Sequence, residues 1–124
     1  QTLAVNNFKD LYEKSEKAIY TEGPAFLNVL APCPRGWGYP TDMLMQMNKL
    51  AMETCYWPLY EVIDGKYKIN YKPAKKLPIE EFLKPQKRFS HMFKAGNEWM
   101  IEEFQKEVDK RWEELLKLEK ITNE

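Results

Sequence analysis

Residues 25–31, Ala25-Phe26-Leu27-Asn28-Val29-Leu30-Ala31, form a short run that is apolar on both faces, and Pro32 closes it. A strand with one wet face alternates polar and apolar side chains, whereas a run apolar on both sides fits a strand covered twice, as in a parallel α/β sheet. The composition then changes abruptly. Residues 32–40, Pro32-Cys33-Pro34-Arg35-Gly36-Trp37-Gly38-Tyr39-Pro40, hold five Pro or Gly in nine positions, which predicts a loop without regular structure. Ligands of open α/β sheets collect at the carboxyl ends of strands, so the place of this loop matters as much as its composition.

The flanking segments complete an alternation of helix and strand. Residues 7–20 space Phe8, Leu11, Tyr12, Ser15, Ala18 and Ile19 at helical intervals, with Lys9, Asp10, Glu13, Glu16 and Lys17 on the other side, which predicts an amphipathic helix. It should stop at Thr21-Glu22-Gly23-Pro24, with Gly23 free to take a left-handed cap. After the loop, Thr41 or Asp42 can cap a helix through about Thr54, with Leu44, Met47, Leu50 and Ala51 on one stripe. A β-hairpin over residues 56–72 follows, because Asp64-Gly65 supplies the positive-φ pair of a type I′ turn and Tyr67, Ile69 and Tyr71 alternate with polar residues. Residues 77–83 suggest a short helix opened by Pro78 and ended by Pro85. A long helix over 97–120 carries Ile101, Phe104, Val108, Trp112 and Leu115 on one stripe.

Charge and cysteine usage narrow the function classes. The 124 residues carry 19 basic and 19 acidic side chains, so no global positive field holds a nucleic acid. The positive charge is nevertheless concentrated: residues 66–88 hold eight Lys or Arg against Glu80 and Glu81, and from Glu98 onward nine acidic residues face five basic ones. The acidic last helix can neutralise the basic middle, within the molecule or across a partner. Tyr67, Tyr71 and Phe82 interleave with the basic residues as single-strand stacking would need, but the alternating Tyr and Ile spacing suits a strand burying one face equally well, with lysines guarding a sheet edge. The uncharged stretch at residues 23–34 spans about 12 residues, short of the roughly 20 a membrane helix needs. Two cysteines at this separation form no disulfide framework or zinc motif and fit a reducing cytoplasm. The chain begins Gln1-Thr2-Leu3, without a signal-peptide pattern, and is expected to be cut from something longer.

Few residues stand out as chemistry. No GxGxxG, Walker, GxSxG or HExxH motif is present. His91 lacks a ligand or triad mate nearby and is assigned no role. The pairs Glu80-Glu81, Glu102-Glu103 and Glu113-Glu114 fit a solvated helix surface, and Cys55 fits packing. Cys33 differs, because two prolines stiffen the loop that presents it. That setting suits a metal-ligand sulfur, and equally a buried structural thiol.

Taken together, the residues carry a resemblance. The run from Glu22-Gly23-Pro24-Ala25-Phe26 through Leu30-Ala31-Pro32-Cys33-Pro34-Arg35-Gly36-Trp37, then Lys49-Leu50-Ala51-Met52-Glu53-Thr54 and Tyr56-Trp57-Pro58-Leu59-Tyr60-Glu61, closely resembles the carboxyl-terminal part of the beta subunit of pyruvate:ferredoxin oxidoreductases. So do Pro78-Ile79-Glu80-Glu81-Phe82-Leu83-Lys84 and Val108-Asp109-Lys110-Arg111-Trp112-Glu113. The segment Lys84-Pro85-Gln86-Lys87-Arg88-Phe89 departs from the pattern at Pro85. That family, also called pyruvate synthase, oxidatively decarboxylates pyruvate on thiamine diphosphate and Mg2+. It passes electrons through [4Fe-4S] clusters to ferredoxin and transfers the acetyl group to coenzyme A.

The resemblance implies that residues 1–40 are the last helix-strand unit of a thiamine-diphosphate-binding α/β fold. Residues 41–124 would then be an α+β extension. It implies that Cys33 is one of four [4Fe-4S] ligands; the other three cysteines and the Gly-Asp-Gly motif for thiamine diphosphate would lie upstream. It places no catalytic residue in this stretch. Partners would be the other subunits, ferredoxin, coenzyme A and pyruvate, with neither nucleic acid nor membrane. A piece of this kind would be inactive alone and would self-associate through its unpaired strand. The other class of reading is a non-catalytic module that docks a subunit or ferredoxin through Lys66, Lys68 and Lys72.

Overall fold

The computed structural model describes the backbone of residues 1–124 and every side chain except those of Thr2 and Leu3. Two short strands, β1 (Thr2–Ala4) and β2 (Asn28–Leu30), run parallel with Leu3 opposite Val29. Helix α1 (Phe8–Tyr20) connects them. The side chain of Asn7 accepts from the backbone N–H of Asp10 at 3.2 Å and so caps the helix start. At the other end Thr21 is extended, its hydroxyl donates to the Lys17 carbonyl, and Gly23 takes φ +99° two residues later. The predicted stop is therefore in place, although Gly23 is not itself the cap.

Two expectations about this unit are corrected. The strand is three residues long rather than seven, and it is not covered on both sides: Phe26 is 76% and Val29 45% exposed. Among the described residues only β1 pairs with it. Helix α1 is also turned from its expected orientation: Leu11, Ser15 and Ala18 of the expected inner face are half-buried, and Lys9, Glu13, Glu16 and Lys17 are exposed as expected. Asp10 and Lys14 point inward and form an ion pair at 3.0 Å, with the Lys14 side chain 1% exposed. Phe8, Tyr12, Ile19 and Tyr20 lie on the surface. The reason is the neighbour across the interface: Glu61 is buried, and Lys17, one turn beyond Lys14, donates to it at 2.8 Å. Burial pushes the Glu61 carboxyl up, but the bond and charge of Lys17 outweigh it and hold the group below the usual range.

The loop at residues 32–40 is also corrected, because it contains a helical turn, α2 (Pro34–Trp37). Proline and glycine here act as helix punctuation. Pro34 occupies the first helical position, where its missing N–H is not needed, and Gly38 closes the turn at φ +74°. A 3-10 turn at Thr41–Met43 leads into α3 (Leu44–Glu53), with no cap bond from the Thr41 or Asp42 side chain. Met47 and Ala51 of the expected stripe are fully buried.

The hairpin forms as the sequence predicts, with shorter strands: β3 (Tyr60–Ile63) and β4 (Lys66–Ile69) pair antiparallel, and Asp64 and Gly65 take φ +52° and +76°. After it come α4 (Ile79–Leu83), a 3-10 segment at Lys87–Phe93 and α5 (Glu98–Thr122). The main core gathers Met47, Ala51, Cys55, Phe82, Leu83 and Val108 between α3, α4 and α5. A smaller cluster of Ala4, Met52 and Leu59 ties the β1-α1-β2 unit to the hairpin approach.

Helix α5 also covers the outer edge of β4. The Thr122 hydroxyl and the Glu119 carboxylate accept from the backbone N–H groups of Tyr67 (2.9 Å) and Ile69 (2.7 Å), and Asn123 donates to the Tyr67 carbonyl. An edge satisfied this way cannot template further pairing. Lys72 meets Glu119 at 2.5 Å and Lys76 pairs with Asp109, so the acidic helix neutralises part of the basic middle within the molecule. Burial raises the Glu119 carboxyl, yet Lys72 and the Ile69 N–H hold it below its ordinary value. The seam therefore contributes its full stability at neutral pH and loses it as the pH falls through that lowered value. Among the described residues no helix is long and apolar enough to cross a membrane.

Candidate metal-ligand site at Cys33

The buried Tyr39 hydroxyl donates to the Pro32 carbonyl at 3.1 Å and holds the chain just before Cys33. Cys33 is the N-cap of α2, and its carbonyl accepts from the Trp37 N–H at 2.9 Å. Its Sγ accepts from the Gly36 N–H at 3.4 Å. A Cβ on Gly36 would lie 3.6 Å from that sulfur, so glycine leaves its near side open. The turn is anchored at its far end as well. The Gly38 carbonyl accepts from the Lys87 N–H at 2.9 Å, and a Cβ on Gly38 would come within 2.8 Å of the Lys87 Cβ. The backbone around Cys33 is thus fixed from both sides.

Cys33 is exposed. Among the described residues its sulfur is not enclosed as a buried structural thiol would be. It is a solvent-facing sulfur on a rigid turn that receives one N–H···S bond, a setting compatible with a metal-ligand sulfur. It supplies one ligand only: among the described residues no three His, Cys, Asp or Glu come together as a metal site.

The remaining candidates separate cleanly. Cys55 is 4% exposed and belongs to the core, and burial pushes its thiol up to about 11. Its φ of +59° is a backbone feature that the sequence did not signal. His91 is exposed, and its backbone carbonyl accepts from the Asn97 side chain at 2.7 Å. The three carboxylate pairs all lie on exposed helix surface.

One arrangement near the loop was not foreseen. The guanidinium of Arg88 stacks 4.0 Å from the Trp37 ring and 4.5 Å from the Phe89 ring. Its Nε donates to Gln86 at 2.7 Å, and Gln86, 1% exposed, is itself anchored to the Phe82 carbonyl. The neighbouring aromatic residue was the available signal, but Arg88 registered only as charge.

These geometries predict divergent thiol chemistry. With its pKa near 11, only about one Cys55 in a thousand is thiolate at pH 8. Iodoacetamide should label Cys33 in the folded chain and leave Cys55 at least about a hundredfold slower, until denaturant exposes it. Peptide mapping of the two sites checks this, and equal rates would contradict the burial of Cys55.

Comparison with known proteins gives the family. Over 124 residues, 99% of this chain, it is 43% identical to pyruvate synthase subunit PorB of Thermotoga maritima. It is 42% identical to the PorB subunit of Methanocaldococcus jannaschii over 89% of the chain, and 46% identical to ketoisovalerate oxidoreductase subunit VorB of Pyrococcus furiosus over 91%. The chain is homologous to the PorB and VorB subunits. It spans about 36–38% of the length of these relatives. No protein-family model matches.

Proposed function

We propose that these residues serve as the carboxyl-terminal part of a pyruvate:ferredoxin oxidoreductase beta subunit, with Cys33 as one ligand of a [4Fe-4S] cluster. The observation that carries the reading is the PorB/VorB identity over nearly the whole chain. The exposed, N–H-bonded sulfur supports it, and so do the apolar residues left outside on α1 and around β2, which suit coverage by further polypeptide. The relation to a thiamine-binding sheet and the division near residue 40 belong to this proposal. So do the cytoplasmic setting and the inactivity of these residues alone.

A [4Fe-4S] cluster, when bound, stores and passes single electrons. This chain's residues would fix the direction of one ligand sulfur through Pro34 and Tyr39 and donate one N–H to it from Gly36. The 124 residues contain no Gly-Asp-Gly motif. Thiamine diphosphate and Mg2+ therefore belong, in this reading, to the length of the relatives that the chain does not cover. Pyruvate is the substrate proposed, with other 2-oxo acids as the competing choice.

The test uses the whole complex with its partner subunits, under anaerobic conditions. Pyruvate should drive ferredoxin reduction that depends on coenzyme A. Activity with ketoisovalerate alone would overturn the substrate, and none with either acid would overturn the function.

A further inference from the structure

The turn that carries Cys33 has little to hold it by itself. Helix α2 is four residues long, too short to persist alone in water. Cys33 is exposed, so its side chain gains no packing that would fix its direction. Residues 86–89, much further along the chain, supply the missing support. The Lys87 N–H donates to the Gly38 carbonyl at 2.9 Å. The Arg88 guanidinium lies 4.0 Å from the centre of the Trp37 ring. Trp37 is the last residue of α2, and its N–H closes the turn on the Cys33 carbonyl at 2.9 Å. Phe82 of α4 meets the same indole at 5.9 Å and 87°. Trp37 is therefore gripped by α4 and by the segment that follows it.

Arg88 is itself held in one orientation. Its Nε donates to Gln86 Oε1 at 2.7 Å, and the Phe89 ring centre lies 4.5 Å from the guanidinium. Gln86 is 1% exposed, and its Nε2 donates to the Phe82 carbonyl at 2.6 Å. Both ends of the Gln86 amide are thus used, one to anchor it to α4 and the other to aim Arg88. Such an arrangement needs a planar cation. A guanidinium stacks flat on an indole and keeps a directed N–H for its neighbour, whereas an ammonium is a point charge on a flexible stem.

We propose that Arg88, aimed by Gln86, is a positioning residue for Cys33: through Trp37 it braces the one-turn helix that directs the sulfur. That the sulfur is a cluster ligand rests on the reading given above. The bracing of the turn does not, since it follows from the contacts among Gln86, Arg88 and Trp37.

The experiment compares the complete, anaerobically purified complex with its Arg88→Gln, Arg88→Lys and Trp37→Phe variants. Loss of a stacked cation and a charged hydrogen bond in Arg88→Gln should speed hydrogen exchange of the peptide spanning residues 33–39 at least about tenfold. Iron should stay at full complement in that variant, pass to a chelator at least about tenfold faster, and give an altered EPR line shape from the beta subunit's cluster. Arg88→Lys should fail in the same way, because it restores the charge without the planar fork. Trp37→Phe keeps a ring under the guanidinium and should retain most of the protection. Unchanged exchange at residues 33–39 in Arg88→Gln would overturn the brace. Full recovery in Arg88→Lys would overturn it too, by showing that charge alone matters. Cys33→Ala separates the two readings. Iron lost there, with faster exchange but an unaltered signal in Arg88→Gln, keeps the cluster and denies Arg88 its positioning role. Iron kept there, with faster exchange in Arg88→Gln, removes the cluster and keeps the brace.

Discussion

Replacing Lys14 with Met will destabilise the chain by about 3–5 kcal/mol, because it strips the partner from a buried carboxylate while preserving the bulk of the side chain. Lys14 and Asp10 meet at 3.0 Å with their side chains 1% and 10% exposed, so neither charge is hydrated well enough to stand alone. Urea unfolding followed by tryptophan fluorescence checks the value. The paired change Asp10→Leu with Lys14→Met should recover most of the loss, since an apolar pair of similar volume can replace a buried ion pair at little cost. A loss below about 1 kcal/mol in Lys14→Met would show the pair to be solvated. A pH signature accompanies this. Burial holds the Lys14 ammonium below its usual 10.5 despite the opposing bond to Asp10. Between that lowered value and 10.5 the unfolded chain binds more protons than the folded one, so stability rises with pH across the window. The Met variant should lack that rise.

The case of α1 shows where sequence reasoning reached its limit. The helical period of residues 7–20 was legible, and so were the ends of the helix. Which face turns inward was not, because Phe8, Tyr12 and Ile19 would be buried by any rule that treats the chain as self-sufficient. The deciding residue was Glu61, 44 positions beyond the Lys17 that meets it. The edge of β4 is a similar case, since its cover by Glu119 and Thr122 depends on contacts 50 and 55 residues apart. The hairpin needed no such information; Asp64-Gly65 encodes its turn locally. Strand β1 escaped notice because three residues carry no readable period. At the Cys33 loop the Pro and Gly were counted as breakers, whereas their order, Pro at the first helical position and Gly just past the last, is that of a capped turn. Cys33 itself was legible as a candidate. Its exposure, the N–H bond to its sulfur and the stacked Arg88 became visible only in three dimensions.

The cluster assignment carries the larger functional effect. Cys33 presents a solvent-facing sulfur on a turn pinned by Tyr39 and by the contact between Gly38 and Lys87. Cys55, buried in the core with its thiol pushed up to about 11, cannot replace it. Loss of one thiolate from a four-cysteine cluster leaves an iron without its protein ligand. The rest of the fold should survive, because an exposed side chain contributes little packing. The direct measurement is the iron content and the EPR signal of the reduced cluster in the complete, anaerobically purified complex carrying Cys33→Ala. This account predicts that iron is lost from the cluster held by the beta subunit, that its signal disappears or changes form, and that ferredoxin reduction falls at least about a hundredfold. A full complement of iron with an unaltered signal would contradict it.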